Sequence, residues 1–168
     1  MENLLFQEGL KILELGAGCG IVGITLAAHF PKIQQILLTD LDEASEILEH
    51  NLSIFNPSSG LEIFHQVLDW EAPLPPNVKS TNWDLVVVAD CTYNPDVVPD
   101  LVNTLRSLAE INREATVLLA MKVRHESEMV FFDLIQEKGF KVGEKCKLPL
   151  PVLGGEEEEI DIFVFRAI

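Results

Sequence analysis

Leu13-Glu14-Leu15-Gly16-Ala17-Gly18-Cys19-Gly20 sets a carboxylate directly before three alternate glycines. Glycines at that spacing let a backbone approach a ligand closely and aim its amides at a nucleotide. Glu14 suits a cationic or hydroxyl-rich ligand better than a bare phosphate. Gly18-Cys19-Gly20-Ile21-Val22-Gly23 also satisfies G-x-G-x-x-G, the dinucleotide fingerprint. In that register the first glycine falls three residues past Leu15, late for a turn leaving a strand. The E-x-G-x-G-x-G register starts at the strand end and is preferred.

Asp40 closes Leu37-Leu38-Thr39-Asp40, 20 residues after Gly20. In a doubly wound sheet ligands sit at the carboxyl ends of strands, where a carboxylate can accept both ribose hydroxyls of an adenosine. A competing role is to cap a helix starting near Glu43, for which Asp42 is better placed. In Leu68-Asp69-Trp70 the indole can stack on adenine and the carboxylate can bond its amino group, although a loop Trp can equally plug a core. Asp90-Cys91-Thr92-Tyr93 follows another apolar run and contains the chain's single tyrosine. Lys122, Arg124 and His125 either shape the entrance to the same crevice or form a solvated loop. The run Glu156–Glu159 reads better as a solvated loop tip than as a magnet for a basic partner.

Elements that could position these residues alternate along the chain. Strands are expected at Lys11–Leu15, Gln35–Thr39, Leu61–Val67, Trp83–Ala89, Ala115–Met121, Phe140–Cys146 and Ile160–Arg166. Helices are expected at Ile21–His29, Glu43–Phe55, Pro95–Ile111 and Glu126–Lys138. Asn94 suits the N-cap and Pro95 the first position of the third helix, and Gly139 a left-handed stop after the fourth. Glu71 to Asn82, with three prolines, reads as a loop, and Lys147–Glu159 as an extended hairpin tip that makes the last two strands antiparallel partners. The expected fold is α/β, a Rossmann-like, seven-stranded, mostly parallel sheet with an antiparallel last strand and helices on both faces. The 168 residues are one domain's worth, with no internal repeat.

The formal net charge of −15 argues against direct nucleic-acid binding and favours basic partners or simple solubility. No apolar run reaches the ~18 residues of a membrane span, and the N-terminus lacks a signal peptide's basic region. Cys19, Cys91 and Cys146 are odd in number and match neither a disulfide framework nor a metal site, which fits reduced thiols in the cytoplasm or nucleus. None of the four histidines pairs at ligand spacing, so no metal is assigned.

Glu14-Leu15-Gly16-Ala17-Gly18-Cys19-Gly20 resembles motif I of the class I, seven-strand methyltransferases, which bind S-adenosylmethionine (AdoMet). Asp84 through Tyr93 is similar to the D-x-x-Y signature of the protein-lysine methyltransferases of methyltransferase family 16, methyltransferase-like 21 type. With Thr39-Asp40 and Leu68-Asp69-Trp70, the resemblance covers nearly the whole chain. It implies AdoMet contacts from Glu14, Gly16, Ala17, Gly18, Gly20, Asp40, Leu41, Asp69, Trp70 and Ala89, with Asp90 and Tyr93 catalytic. A free lysine amine, of pKa ~10.4, arrives charged but must react neutral. Asp90 would attract and orient it, and Tyr93 would supply an aromatic wall and a phenolic acceptor. The resemblance also implies a protein substrate, chaperones and translation factors being modified in the family. Members carry a segment before the first strand that packs over the cofactor, and here only ten residues precede Lys11. Three other readings stay open: a different methyl acceptor, a non-catalytic AdoMet- or partner-binding module, and an NAD-dependent oxidoreductase.

Overall fold

The computed structural model describes residues 5–57, 60–150 and 158–168. Seven strands form one sheet: β1 Leu10–Leu15, β2 Ile33–Asp40, β3 Glu62–Val67, β4 Leu85–Ala89, β5 Thr116–Met121, β6 Phe140–Pro149 and β7 Glu159–Ala167. Their spatial order is β3-β2-β1-β4-β5-β7-β6. The pairs from β3 through β5 are parallel, and β7 runs antiparallel to both β5 and β6. The expected fold class is what the chain adopts. Most of the tip expected between β6 and β7, including Glu156 and Glu157, lies outside the described residues.

Two buried clusters sandwich the sheet, and strand alternation divides the apolar residues between them. Ile12, Ile36, Leu38, Leu85 and Val87 pack beneath α1 (Ile21–His29) and α2 (Ser45–Ile54), meeting Ala27 and Leu48. Leu13, Leu15, Leu37, Val86, Val88, Val117 and Leu119 face α3 (Pro76–Ser80), α4 (Val98–Ile111) and α5 (Val130–Glu137). On α4, Val98, Leu101, Val102, Leu105 and Leu108 recur at helical spacing and are buried.

The helices differ from the sequence expectation at four places. Asn94 does not cap a helix: its Oδ1 accepts the Asp96 amide at 3.1 Å and closes a separate turn, so α4 starts at Val98. Glu126–Lys138 divides into a 3-10 turn at Glu126–Met129 and α5. The supposed loop at Glu71–Asn82 contains α3, which opens on Pro76, where a missing amide proton costs nothing. Asp42 likewise opens a 3-10 turn, Asp42–Ala44, without capping a helix through its side chain. Gly139, at φ 81°, does stop α5 as expected.

The sheet register decides where chemistry can occur. Leu15 lies opposite both Thr39 and Val88, Asp40 opposite Val67, and Ala89 opposite Ala120. Gly16, Asp40, Leu68, Asp90 and Lys122 therefore leave the sheet at one edge. That edge includes the point between β1 and β4 where the strand order reverses, the usual crevice of open α/β sheets.

Candidate active site

The glycine turn is held from both sides. Asp40 accepts the Gly18 amide at Oδ2 and its neighbour Leu41's amide at Oδ1, both at 2.7 Å. The Ala17 amide donates to the Thr39 carbonyl at 2.9 Å, and Thr39 Oγ1 donates to the Glu14 carbonyl at 2.6 Å. Gly16 sits at φ 67°, and a Cβ there would stand 2.5 Å from Cys91 Sγ and 3.4 Å from the Trp70 ring. The turn from β1 and the turn from β4 thus touch at Gly16, where no side chain intervenes.

Beyond the strand ends lies a cavity of about 430 Å³, within the range that holds a drug-sized ligand. Its lining includes Gly16, Gly18, Asp40, Leu41, Asp69, Trp70, Ala89, Asp90 and Tyr93. Nine of the twelve residues singled out from the sequence thus meet around one space. Asp100 and Glu71 add carboxylates, and no lysine, arginine or histidine occurs among the described lining residues. Such a lining favours a cationic ligand.

Glu14, Ala17 and Gly20 do not line the cavity. Glu14 is 1% exposed and points behind the turn, where Oε2 accepts the Gly23 amide at 2.8 Å. A Cβ at position 23 would come 2.6 Å from that oxygen and 2.2 Å from Leu38 Cδ2, so Gly23 is needed for the carboxylate to reach the helix. Burial pushes the Glu14 carboxyl up to about 7; the Gly23 amide pulls the other way, and the negative charge of Asp40 adds to the rise. Ala17 is buried, and Gly20 begins α1 with a left-handed backbone. These three residues hold the turn in shape from outside the cavity.

After β4 the chain turns sharply. Asp90 has φ 57°, uncommon for a residue with a side chain, and its amide donates to the Ala120 carbonyl at 2.8 Å. The Asp90 carboxylate is met by Arg124, whose Nη1 and Nη2 donate to Oδ1 and Oδ2 at 2.7 and 2.9 Å. Arg124 belongs to the group that the sequence leaves open between the crevice entrance and a solvated loop; its bond to Asp90 spans 34 residues and has no local signal. Tyr93 is 65% exposed at the rim. Cys91 turns inward, with Sγ near the Ala89 and Leu15 carbonyls at 3.2 and 3.4 Å, and burial pushes its thiol up to about 12. Of the two tryptophans, Trp70 reaches the cavity, whereas Trp83 is a core plug whose Nε1 donates to the Val78 carbonyl at 3.0 Å.

The fold is that of the AdoMet-dependent methyltransferases. A SAM-dependent methyltransferase from Methanosarcina mazei superposes with a TM-score of 0.71 at 15% identity, covering 99% of this chain and 96% of that one. Streptococcus pneumoniae Sp1610, solved with S-adenosyl-L-methionine, gives 0.69 at 15% identity over 99% of this chain and 71% of its own. The family model described as lysine methyltransferase matches residues 5–138, and the chain belongs to that family. Among curated relatives, mouse EEF1A lysine methyltransferase 3 is 31% identical, over 99% of this chain and 64% of its own length. The yeast Saccharomyces cerevisiae protein-lysine N-methyltransferase EFM6 is 29% identical, over 75% of this chain and 55% of its own. The chain spans 38% to 64% of the length of the first four such relatives.

The residues present fit AdoMet. Gly18 lines the cavity, and a Cβ there would meet nothing within 4 Å, so the turn presents bare backbone to open space. Asp40 keeps lone pairs beyond its two amide bonds for ribose hydroxyls, and the Trp70 ring and half-exposed Leu41 offer apolar surfaces for adenine.

Proposed function

We propose that this chain is an AdoMet-dependent protein-lysine N-methyltransferase that transfers the methyl group directly to a deprotonated lysine amine. The observation that carries this reading is that Asp90 and Tyr93 line the same cavity as Gly16, Gly18, Asp40 and Trp70. When bound, AdoMet supplies a methyl carbon whose bond to sulfur breaks, the electron pair staying on sulfur, as the amine nitrogen bonds to that carbon. The protein's task is to receive, orient and partly dehydrate the lysine. Asp90 accepts an amine N–H, and Tyr93 closes one side. Orientation of this kind contributes up to roughly 7–11 kcal/mol in favourable systems. Protons leave to solvent, because no histidine lines the described cavity.

The partner we favour is a protein substrate, a translation factor in the first instance, since a relative of this chain is named EEF1A lysine methyltransferase 3. A net charge of −15 supports a protein rather than a nucleic acid as the macromolecule met. None of the described helices is long and apolar enough to cross a membrane, and no described group of histidine, cysteine and acidic residues could hold a metal ion. The three free cysteines, two of them exposed, fit a reducing compartment, and we propose the cytoplasm, with the nucleus as the second candidate.

The test is a calorimetric titration with AdoMet, with NAD as control, followed by transfer of a labelled methyl group to proteins of a cell extract and mass mapping of the product. Saturable AdoMet binding, no NAD binding and methyl-lysine that is lost in Asp90→Ala are expected. Retained transfer in Asp90→Ala refutes the role of Asp90, and label on another side chain refutes lysine as acceptor.

A further inference from the structure

The Asp90 side chain is 56% exposed, and a carboxylate in that setting would sample several rotamers if unpaired. Instead both of its oxygens are engaged by one guanidinium, at 2.7 and 2.9 Å. A two-point bond fixes the plane of the carboxylate, which a point-charge ammonium cannot do. Arg124 is itself held. Its amide and that of His125 donate to one oxygen of Glu128 at 3.0 and 3.2 Å, and Glu128 is only 1% exposed. A buried carboxylate that binds two successive amides locks the turn after β5. The neighbouring cation Lys122 is engaged elsewhere, with Glu158 at 2.7 Å.

We propose that Arg124 is a positioning residue for methyl transfer: it holds the Asp90 carboxylate in one orientation and cancels its charge, so that a lysine side chain is received as the neutral amine. This rests on the methyl-transfer reading above. An unpaired Asp90 would bind the incoming ammonium as an ion pair, and an opposite charge nearby favours the charged form, which has no lone pair to donate. With Arg124 in place the Asp90–Arg124 pair carries no net charge, and a cation beside the amine favours proton loss to solvent. The carboxylate keeps lone pairs beyond the guanidinium fork, enough to accept an amine N–H. Asp69, Glu71 and Asp100 line the same cavity, and among the described residues none of the three forms an ion pair as Asp90 does, so they draw a lysine inward while the paired Asp90 receives it.

The test compares the wild type with Arg124→Met, each loaded with S-adenosylhomocysteine, in NMR titrations at pH 7.5. Two probes are used: Nα-acetyl-lysine methylamide, which is cationic, and its 6-hydroxynorleucine counterpart, which carries a neutral hydroxyl in place of the ammonium. The wild type sets the reference ratio of lysine-probe to hydroxyl-probe affinity, to which the other carboxylates of the lining contribute equally in every variant. Arg124→Met is expected to gain about fivefold for the lysine probe alone, the scale of a partly exposed ion pair. Arg124→Lys keeps the cation and is expected to keep the wild-type ratio. Equal ratios in wild type and Arg124→Met, including no detectable binding in either, overturn the proposal, as does an Arg124→Lys ratio like that of Arg124→Met. The titrations need no turnover, so the two ideas fail separately. Transfer with equal ratios removes the role of Arg124 alone, and the expected ratios without transfer remove the enzymatic reading.

Discussion

Replacing Glu14 by Gln should change how the stability of the protein depends on pH. The carboxyl is 1% exposed and sits at about 7 in the folded chain against an ordinary 4.5. Between those values the folded state holds a proton that the unfolded state has released, so stability falls as pH rises. The slope is about 1.4 kcal/mol per pH unit, and across the window the loss totals about 3 kcal/mol. Below the unfolded value the effect is absent, and above about 7 it is complete. Glutamine titrates nothing, so Glu14→Gln should gain on the wild type by about 3 kcal/mol between pH 4.5 and pH 7.5, whatever fixed offset the new amide imposes. Urea unfolding of both proteins at half-unit pH steps gives the difference directly. A constant difference across that window would refute the argument, because it would mean that Glu14 is ionised in the folded protein throughout.

Gly16→Ala should weaken AdoMet binding by about tenfold or more, because a side chain at φ 67° costs about 1–2 kcal/mol and its Cβ would press on Cys91 Sγ; calorimetry reads the change. Trp83→Ala should destabilise the fold by about 3–5 kcal/mol in chemical denaturation, since it empties a core position and leaves the Val78 carbonyl without its donor. Iodoacetamide at pH 8 should label Cys19 and Cys146 in the native protein and reach Cys91 only after unfolding, because the Cys91 thiol is buried and pushed up to about 12; peptide mapping of the alkylated chain checks this.

The site residues that were legible in the sequence are those tied to strand ends. Asp40 and Asp90 each close a β-branched or leucine-rich run, and a parallel sheet brings all such ends to one edge, so local pattern and topology agree. Glu14 adjoins the glycines in the sequence, yet strand parity turns it away from the cavity. It is two residues from Ile12, on the face that packs under α1, and opposite to Leu13 and Leu15. That alternation was in the sequence and points the carboxylate at Gly23. α4 starts later than Asn94 suggests, because an asparagine can bond to a backbone amide in a turn as well as at a helix cap, and the amide of Asp96 takes it. The Arg124–Asp90 pair joins residues on separate turns, and no spacing rule of helix or strand connects them.

The placement of β7 governs the order in which the sheet can be completed. β7 follows β6 in the chain yet lies between β6 and β5, with Leu119 opposite Phe163 and Lys145 opposite Phe163 from the other side. While β6 is being synthesised, the open edge of β5 has no partner, and β6 has nothing to pair with. Both strands wait for residues 159–167 to emerge. A ribosome that pauses in that stretch would hold out a nascent chain with a bare hydrophobic edge, the form most open to chaperone capture or to pairing with a neighbouring chain.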